Sequence, residues 1–113
     1  MNDTLMVTGM VSSTPRHTTT EAGVQIASLR LASQQSAGDL AESTNWYTVY
    51  VIGEAAPGVA DGIRKGDRVV VRGTLRIREW GDEAHSGVNV ELTAEAIGVD
   101  LTRQLMAPSR IEK

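Results

Sequence analysis

The chain from residue 46 to residue 80 has the sequence WYTVYVIGEAAPGVADGIRKGDRVVVRGTLRIREW. Its first part, residues 46–52, contains only β-branched and aromatic side chains, the residue types enriched in strands. Its last part, residues 68–80, alternates apolar and polar side chains over much of its length, which also predicts a strand. Gly73 lies inside this second strand and indicates a sharp bend.

The segment between these strands, residues 54–65, has a helical rather than an alternating pattern. Four apolar residues share the helical spacing i, i+3, i+4 and i+7: Ala56, Val59, Ala60 and Ile63. Pro57 suits the first turn of a helix, and Gly66 is a typical residue just beyond a helix end. The whole stretch therefore predicts a strand, a short helix and a second strand.

Outward from this stretch, three further segments have the composition of strands: residues 4–11, 24–33 and 88–97. Residues 12–23 are polar and predict a loop or an irregular sheet edge, and residues 34–45 predict a mobile loop. Five strands with one helix between the third and fourth have the order of an OB-fold, so we expect an all-β protein, a five-stranded Greek-key barrel. We expect this domain to occupy residues 1–101 and residues 102–113 to form a short disordered tail.

The composition limits the kinds of protein that this chain can be. With 113 residues, 41% hydrophobic and 22% charged, it is long enough for one domain with one core. It has no apolar run of about twenty residues, and its start lacks the basic and apolar segments of a secretory signal. It contains no cysteine, which excludes disulfides and thiolate metal sites. We therefore expect a cytoplasmic protein with no membrane association, no bound metal and no cofactor.

The charges are distributed unevenly along the chain. The net charge of −3 is unusual for a nucleic-acid-binding protein, which normally has a basic surface. Six of the eleven basic residues, however, lie in one short segment: Arg64, Lys65, Arg68, Arg72, Arg76 and Arg78. Over the same segment, residues 64–80, there are only two acids, Asp67 and Glu79. Because the placement of charge determines where a polyanion approaches, this segment is the candidate binding surface.

Strand alternation predicts which side chains face outward. In the strand at residues 68–80, four residues are expected to face the core: Val69, Val71, Leu75 and Ile77. The opposite face then carries four arginines and a tryptophan: Arg68, Arg72, Arg76, Arg78 and Trp80. The strand at residues 46–52 turns four residues outward: Trp46, Thr48, Tyr50 and Ile52. In the strand at residues 24–33, Arg30 faces outward in the same way.

These outward residues have the chemistry that single-stranded DNA requires. Every base has a π-face that can stack on an aromatic ring, for about 1–3 kcal/mol per base, and arginines can hold the phosphates. Binding of this kind does not depend on the base sequence. The predicted DNA-binding residues are Arg30, Trp46, Thr48, Tyr50, Arg68, Arg72, Arg76, Arg78 and Trp80.

Several of these residues also have an ordinary structural interpretation. Either tryptophan could be a core residue, since tryptophan is usually well buried. The arginines could protect a sheet edge from pairing, and Tyr50 could contact a second subunit rather than a base. His17 and His85 have no convincing partner ligands at metal spacing, so we expect both to be surface residues.

Three blocks of the sequence resemble the bacterial single-stranded DNA-binding proteins: WYTVYVIG at residues 46–53, IRKGD at residues 63–67 and VVVRGTLRIREW at residues 69–80. The resemblance covers about residues 3–101, and AEAIG at residues 94–98 is similar to the last strand of the actinobacterial members. It implies an OB-fold, a homotetramer and stacking roles for Trp46 and Trp80. It also implies that the strand carrying Arg72, Arg76 and Arg78 is turned towards DNA.

The chain also departs from the pattern of that family. It has no phenylalanine, and Ile52 stands where many members have a stacking phenylalanine. Members of the family have a long glycine- and proline-rich linker and an acidic C-terminal tip that recruits replication and repair enzymes. Neither feature is present in this sequence, which ends at Lys113. The resemblance therefore leaves such protein partners open, and it implies either a short paralogue or a chain without its tail.

The sequence supports three functional hypotheses of unequal weight. The first is sequence-independent binding and protection of single-stranded DNA by a homotetramer in replication, recombination or repair. The second is an OB-fold protein-interaction module with vestigial DNA binding, which the net acidity and the missing phenylalanine favour. The third, an enzyme such as a nuclease, would need clustered carboxylates, whereas the acidic residues are scattered. We therefore expect a binding protein that carries out no catalysis.

Overall fold

The computed structural model describes residues 3–35 and 43–102 of the chain. The elements within these ranges are β1 (Asp3–Val11), β2 (Arg16–Thr19), β3 (Gln25–Gln35), β4 (Ser43–Ile52), α1 (Ala56–Gly62), β5 (Arg68–Gly81) and β6 (Ser86–Val99). The order of strand, helix and strand predicted for residues 46–80 is therefore confirmed.

The strands form one sheet that closes on itself. Their order is β1-β5-β6-β4-β3-β2, and β1 pairs a second time with β3, where Met10 lies opposite Ala32. This extra pairing joins β1, β5, β6, β4 and β3 into a ring. β4 and β6 run parallel, whereas the other neighbouring strands run antiparallel. The expected all-β OB-fold is confirmed.

The short strand β2 lies outside the ring, at the sheet edge beside β3. The sequence predicts a loop or an irregular sheet edge over residues 12–23. The structure shows the second of these, an edge strand whose four side chains are all exposed. Three strands extend beyond their predicted bounds by two residues or more, because β3 extends to Gln35, β4 begins at Ser43 and β6 runs from Ser86 to Val99. Residues 36–42 of the predicted loop and residues 103–113 of the predicted tail lie outside the described residues.

The core lies inside the ring and consists of aliphatic side chains from alternate positions of the strands. Its most deeply buried large members are Val11, Leu31, Val49, Val69, Val71 and Leu92. Burying each such side chain contributes about 1.5–3 kcal/mol. α1 packs on this core: Ala56 lies against Ala27 and Val51, and Ile63 joins the main cluster just after the helix. The burial of Val69 and Val71 confirms the predicted inward face of β5.

α1 is shorter than the predicted helical segment. Pro57 lies in its first turn as expected, but the backbone becomes extended at Ile63, so the helix ends at Gly62. Gly66 has φ of +96°, a left-handed conformation that favours glycine, and it turns the chain into β5. Among the described residues, no helix combines the length and the hydropathy needed to cross a membrane.

The C-terminal part of β5 and the N-terminal part of β6 extend beyond the ring as a two-stranded arm, residues 77–90. Among the described residues, β1 pairs with β5 as far as Leu75, and β4 pairs with β6 at residues 91–93. Within residues 3–35 and 43–102, no further strand therefore covers the inner face of the arm. Ile77, expected to face the core, is 61% exposed for this reason, so that prediction was wrong.

Candidate nucleic-acid interface

Outward side chains of four neighbouring strands form one row across the outer surface of the ring. Arg76 of β5 lies opposite Glu91 of β6, and Glu91 lies opposite Thr48 of β4. Thr48 in turn lies opposite Arg30 of β3. Residues directly opposite each other in a sheet project from the same face. This transverse row therefore connects an arginine at the base of the arm to an arginine on the far side of the sheet.

Arg30 lies at one end of the transverse row and contacts the neighbouring tryptophan. Its Nη1 donates a hydrogen bond to Oγ1 of Thr48, with 3.2 Å between the two atoms. Its guanidinium carbon lies 5.6 Å from the centroid of the Trp46 ring, within the range of a cation–π contact. Because a guanidinium has five N–H donors, Arg30 can hold this position and still donate to a phosphate.

Trp46 is 49% exposed on the outer surface, which confirms that it faces outward. A shallow groove beside it is lined by Met10, Ala32, Gln34, Thr44, Trp46 and Arg68. The register explains this groove, because Trp46 lies opposite Ala32, Ala32 opposite Met10, and Met10 opposite Arg68. Trp46 therefore has Arg30 on one side and Arg68 across the groove on the other.

Tyr50 and Thr48 also face outward on β4, but both are only partly exposed. Tyr50 lies between Ser28 of β3 and Thr93 of β6 in the register, so small polar residues flank its ring. Ile52 is exposed at the end of the strand. The alternation predicted for β4 is confirmed, although Tyr50 offers less surface to a ligand than the tryptophans do.

Trp80 lies near the end of the arm and is 50% exposed. Its partner across the arm is Gly87. The groove beside it is lined by Glu79, Trp80, Gly81, Ser86, Gly87 and Val88. Since both tryptophans are on the outer surface, the alternative in which one of them belongs to the core is wrong.

The turn at the end of the arm is held by Asp82. One of its carboxylate oxygens, Oδ1, accepts hydrogen bonds from the backbone N–H groups of Ala84 at 2.9 Å and His85 at 3.0 Å. The N–H of His85 first, and then that of Ala84, lower the pKa of Asp82 because they stabilise the ionised carboxylate. The arm that carries Trp80 therefore ends in a hydrogen-bonded turn.

Two carboxylates of β6 lie among the arginines, and the sequence reasoning missed both. Nη2 of Arg78 lies 3.6 Å from Oε1 of Glu91, and Nε of Arg72 lies 3.5 Å from Oε2 of Glu95. Glu91 is the more enclosed carboxylate, with 11% of its side chain exposed, and Arg76 lies opposite it. The signal was present in the sequence, since alternation along residues 88–97 turns both glutamates outward.

The structure brings most of the predicted residues into one connected set, which we call the outer track: Arg68, Trp46, Arg30, Thr48, Arg76, Arg78 and Trp80. The transverse row joins the part around Trp46 to the part on the arm. Arg72 lies away from this path, between Met6 of β1 and Ala96 of β6 in the register. Along β5 alone, Arg68 and Trp80 are separated by about 40 Å of strand, at ~3.3 Å per residue.

Comparison with known proteins gives the family. The model of the "Single-strand binding protein family" matches residues 1–100. The chain belongs to the single-strand binding protein family. Two curated relatives in this family, both named "Single-stranded DNA-binding protein 2", come from Tropheryma whipplei strains Twist and TW08/27. Each is 41% identical over 103 residues, which cover 86% of this chain and 68% of the relative.

A solved structure extends the likeness to the fold. The crystal structure of the small single-stranded DNA-binding protein from Streptomyces coelicolor has a TM-score of 0.80 and 29% sequence identity. The match covers 92% of this chain and 99% of that one. Because the single-strand binding protein family consists of binding proteins, membership confirms the expectation that this chain is not an enzyme.

Proposed function

We propose that this chain binds single-stranded DNA without sequence preference, by stacking bases on Trp46 and Trp80 and holding phosphates with the arginines of the outer track. The environment of Trp46 carries the proposal. Its half-exposed indole lies 5.6 Å from the guanidinium carbon of Arg30, and Arg68 lines the groove on its other side. An exposed ring between two cations can accept one base and the phosphates on either side of it.

The outer track offers little that could distinguish one base from another. An indole face accepts any base, and a guanidinium that holds a phosphate does not sense the base attached to it. Thr48 is partly buried, and its hydroxyl already accepts a hydrogen bond from Arg30. We therefore expect affinity to vary little with base sequence and to fall with salt, with a log–log slope of about −0.7 per phosphate contact.

Fluorescence anisotropy of a labelled oligo-dT, measured at several salt concentrations, tests this function. Arg76→Ala should weaken binding and make the salt slope shallower by about 0.7, the value of one phosphate contact. Arg64, exposed in the turn between α1 and β5, is outside the outer track, so Arg64→Ala is the matched control and should lose much less affinity. Equal losses in the two variants, or binding that is indifferent to salt, would refute the proposal.

We further propose that the protein acts as a homotetramer on chromosomal DNA in the bacterial cytoplasm, in replication, recombination or repair. Family resemblance supports the subunit number. Exposed apolar side chains also support it, since Met6 on β1 is 66% exposed and Ile77 projects from the arm, and contact between subunits would bury such surface. Light scattering after size-exclusion chromatography should give four times the mass of one chain. The mass of a single chain would contradict the tetramer.

A further inference from the structure

Gly87 lies under the indole of Trp80. The two residues are opposite each other in the pairing of β5 with β6. A β-carbon built on Gly87 would lie 2.6 Å from Cε2 and 2.9 Å from Nε1 of Trp80, and closer still to Cζ2. Protein β-carbons essentially never approach other atoms within 3.0 Å. The indole therefore occupies the space into which any other residue at position 87 would project its side chain.

Backbone conformation does not account for the glycine at this position. Among the described glycines, positive φ values occur at Gly23, Gly53, Gly66 and Gly81, and Gly87 does not share this conformation. Gly87 lies in a regular antiparallel pairing, where glycine weakens a strand because it has no side chain to pack and more backbone freedom to lose. The feature that does require glycine here is the position of the tryptophan ring.

We infer that Gly87 is a positioning residue that sets the orientation of Trp80 on the arm. One edge of the indole rests on the backbone of β6, while about half of the residue stays exposed. An aromatic ring over a cross-strand glycine supplies the packing that the glycine lacks. The inference rests on the proposed function, because a ring held in place before DNA arrives loses less freedom when a base stacks on it.

The first test of this inference needs no DNA. In a Trp46→Phe background Trp80 is the only tryptophan, so the emission reports this ring alone. Gly87→Ala should displace the indole, shift its emission to the red and increase its quenching by iodide. The thermal stability should stay at or above that of the parent chain, because alanine suits a strand better than glycine does. Gly98→Ala is the matched control on β6, since a β-carbon there meets no atom within 4 Å.

The second test is a double-mutant cycle on binding to oligo-dT, with Gly87→Ala, Trp80→Ala and the double variant. Gly87→Ala should weaken binding about fivefold or more, a part of what stacking one base contributes. The salt slope should stay unchanged, because the phosphate contacts remain. When Trp80 is already replaced by alanine, the change at position 87 should have no further effect on affinity.

The outcomes separate this inference from the function on which it rests. If the wild-type chain binds oligo-dT and Gly87→Ala binds equally well, the positioning role is wrong and the proposed function stands. Equal losses with and without Trp80 would also overturn the role, since Gly87 would then act independently of the indole. If the wild-type chain does not bind oligo-dT, the proposed function fails, and the emission of Trp80 still decides whether Gly87 holds the ring.

Discussion

Two arginines of the outer surface, Arg72 and Arg78, form ion pairs with glutamates of β6. Nη2 of Arg78 lies 3.6 Å from Oε1 of Glu91 and Nε of Arg72 lies 3.5 Å from Oε2 of Glu95, so in the proposed binding mode a phosphate would compete with a carboxylate for each of these guanidiniums. The exposed pair of Arg72 and Glu95 contributes little, about 0–1 kcal/mol, so a polyanion can displace it, whereas Glu91 is more enclosed. At the residue scale, under the proposed binding mode, we therefore expect the glutamates to reduce the affinity for DNA while holding the arginines in place over β6.

Glu91→Gln should strengthen binding to oligo-dT, because it removes a negative charge that lies close to Arg78 and opposite Arg76. Each additional phosphate contact should steepen the salt slope by about 0.7. Anisotropy titrations at several salt concentrations measure both effects. Glu54→Gln, exposed before α1, changes the net charge equally and is the control. Identical behaviour of the two variants would show that Glu91 does not compete with phosphate.

Arg30→Lys tests whether the planar guanidinium matters as well as the charge. A lysine keeps the positive charge but not the forked donors or the flat contact with an indole. We expect weaker binding with an unchanged salt slope, and a changed Trp46 emission in a Trp80→Phe background. If neither the affinity nor the emission of Trp46 changes, Arg30 acts as a point charge only.

At the scale of strands, the sequence predicted the outward faces of β4 and β5 because alternation is a local property of the chain. It was wrong about Ile77, since alternation does not reveal where the neighbouring strands stop. It missed Glu91 as part of the site for a related reason. Alternation alone turns Glu91 outward, but its position between Thr48 and Arg76 depends on the register between distant segments, which no local pattern contains.

Gly73 shows how closely two strands approach at the base of the arm. A β-carbon on Gly73 would overlap the carbonyl group of Thr93 on β6. We expect Gly73→Ala to lower the free energy of unfolding by about 1–3 kcal/mol, since backbone atoms cannot easily move aside. Gly58→Ala in α1 is the control, because it meets open space and should raise the free energy of unfolding by roughly 0.5–1 kcal/mol. Urea denaturation measures both, and equal effects would contradict the close approach.

The turn of the arm should respond to acid through Asp82. Its pKa is lowered in the folded protein, so its contribution to stability is complete above the unfolded pKa of about 3.9 and is lost as the pH falls through the folded value. In NMR titrations, the amide protons of Ala84 and His85 should shift with a midpoint below 3.9, the usual aspartate value. Asp82→Asn should abolish this titration. A midpoint at or above the usual value would exclude the hydrogen-bonded turn.

At the scale of the whole molecule, the ring and the arm have different roles. The ring buries the aliphatic core and presents Trp46 with its arginines, whereas the arm carries Arg78 and Trp80 outward from it. The net charge of −3 is unfavourable for DNA binding. Among the charges, only the clustering of arginines in β5 indicated from the sequence that this chain binds DNA. The closure of β1 on β3, which brings Arg68 beside Trp46, depends on long-range pairing and could not be predicted residue by residue.

Titration of two single-tryptophan chains with oligo-dT shows whether unpaired bases stack on Trp46 and Trp80. Trp46→Phe retains only Trp80, and Trp80→Phe retains only Trp46. We predict that oligo-dT quenches the emission of both chains and that duplex DNA of the same length quenches them far less. Emission unchanged in both chains, or equal quenching by duplex DNA, would contradict the stacking of unpaired bases on these two rings.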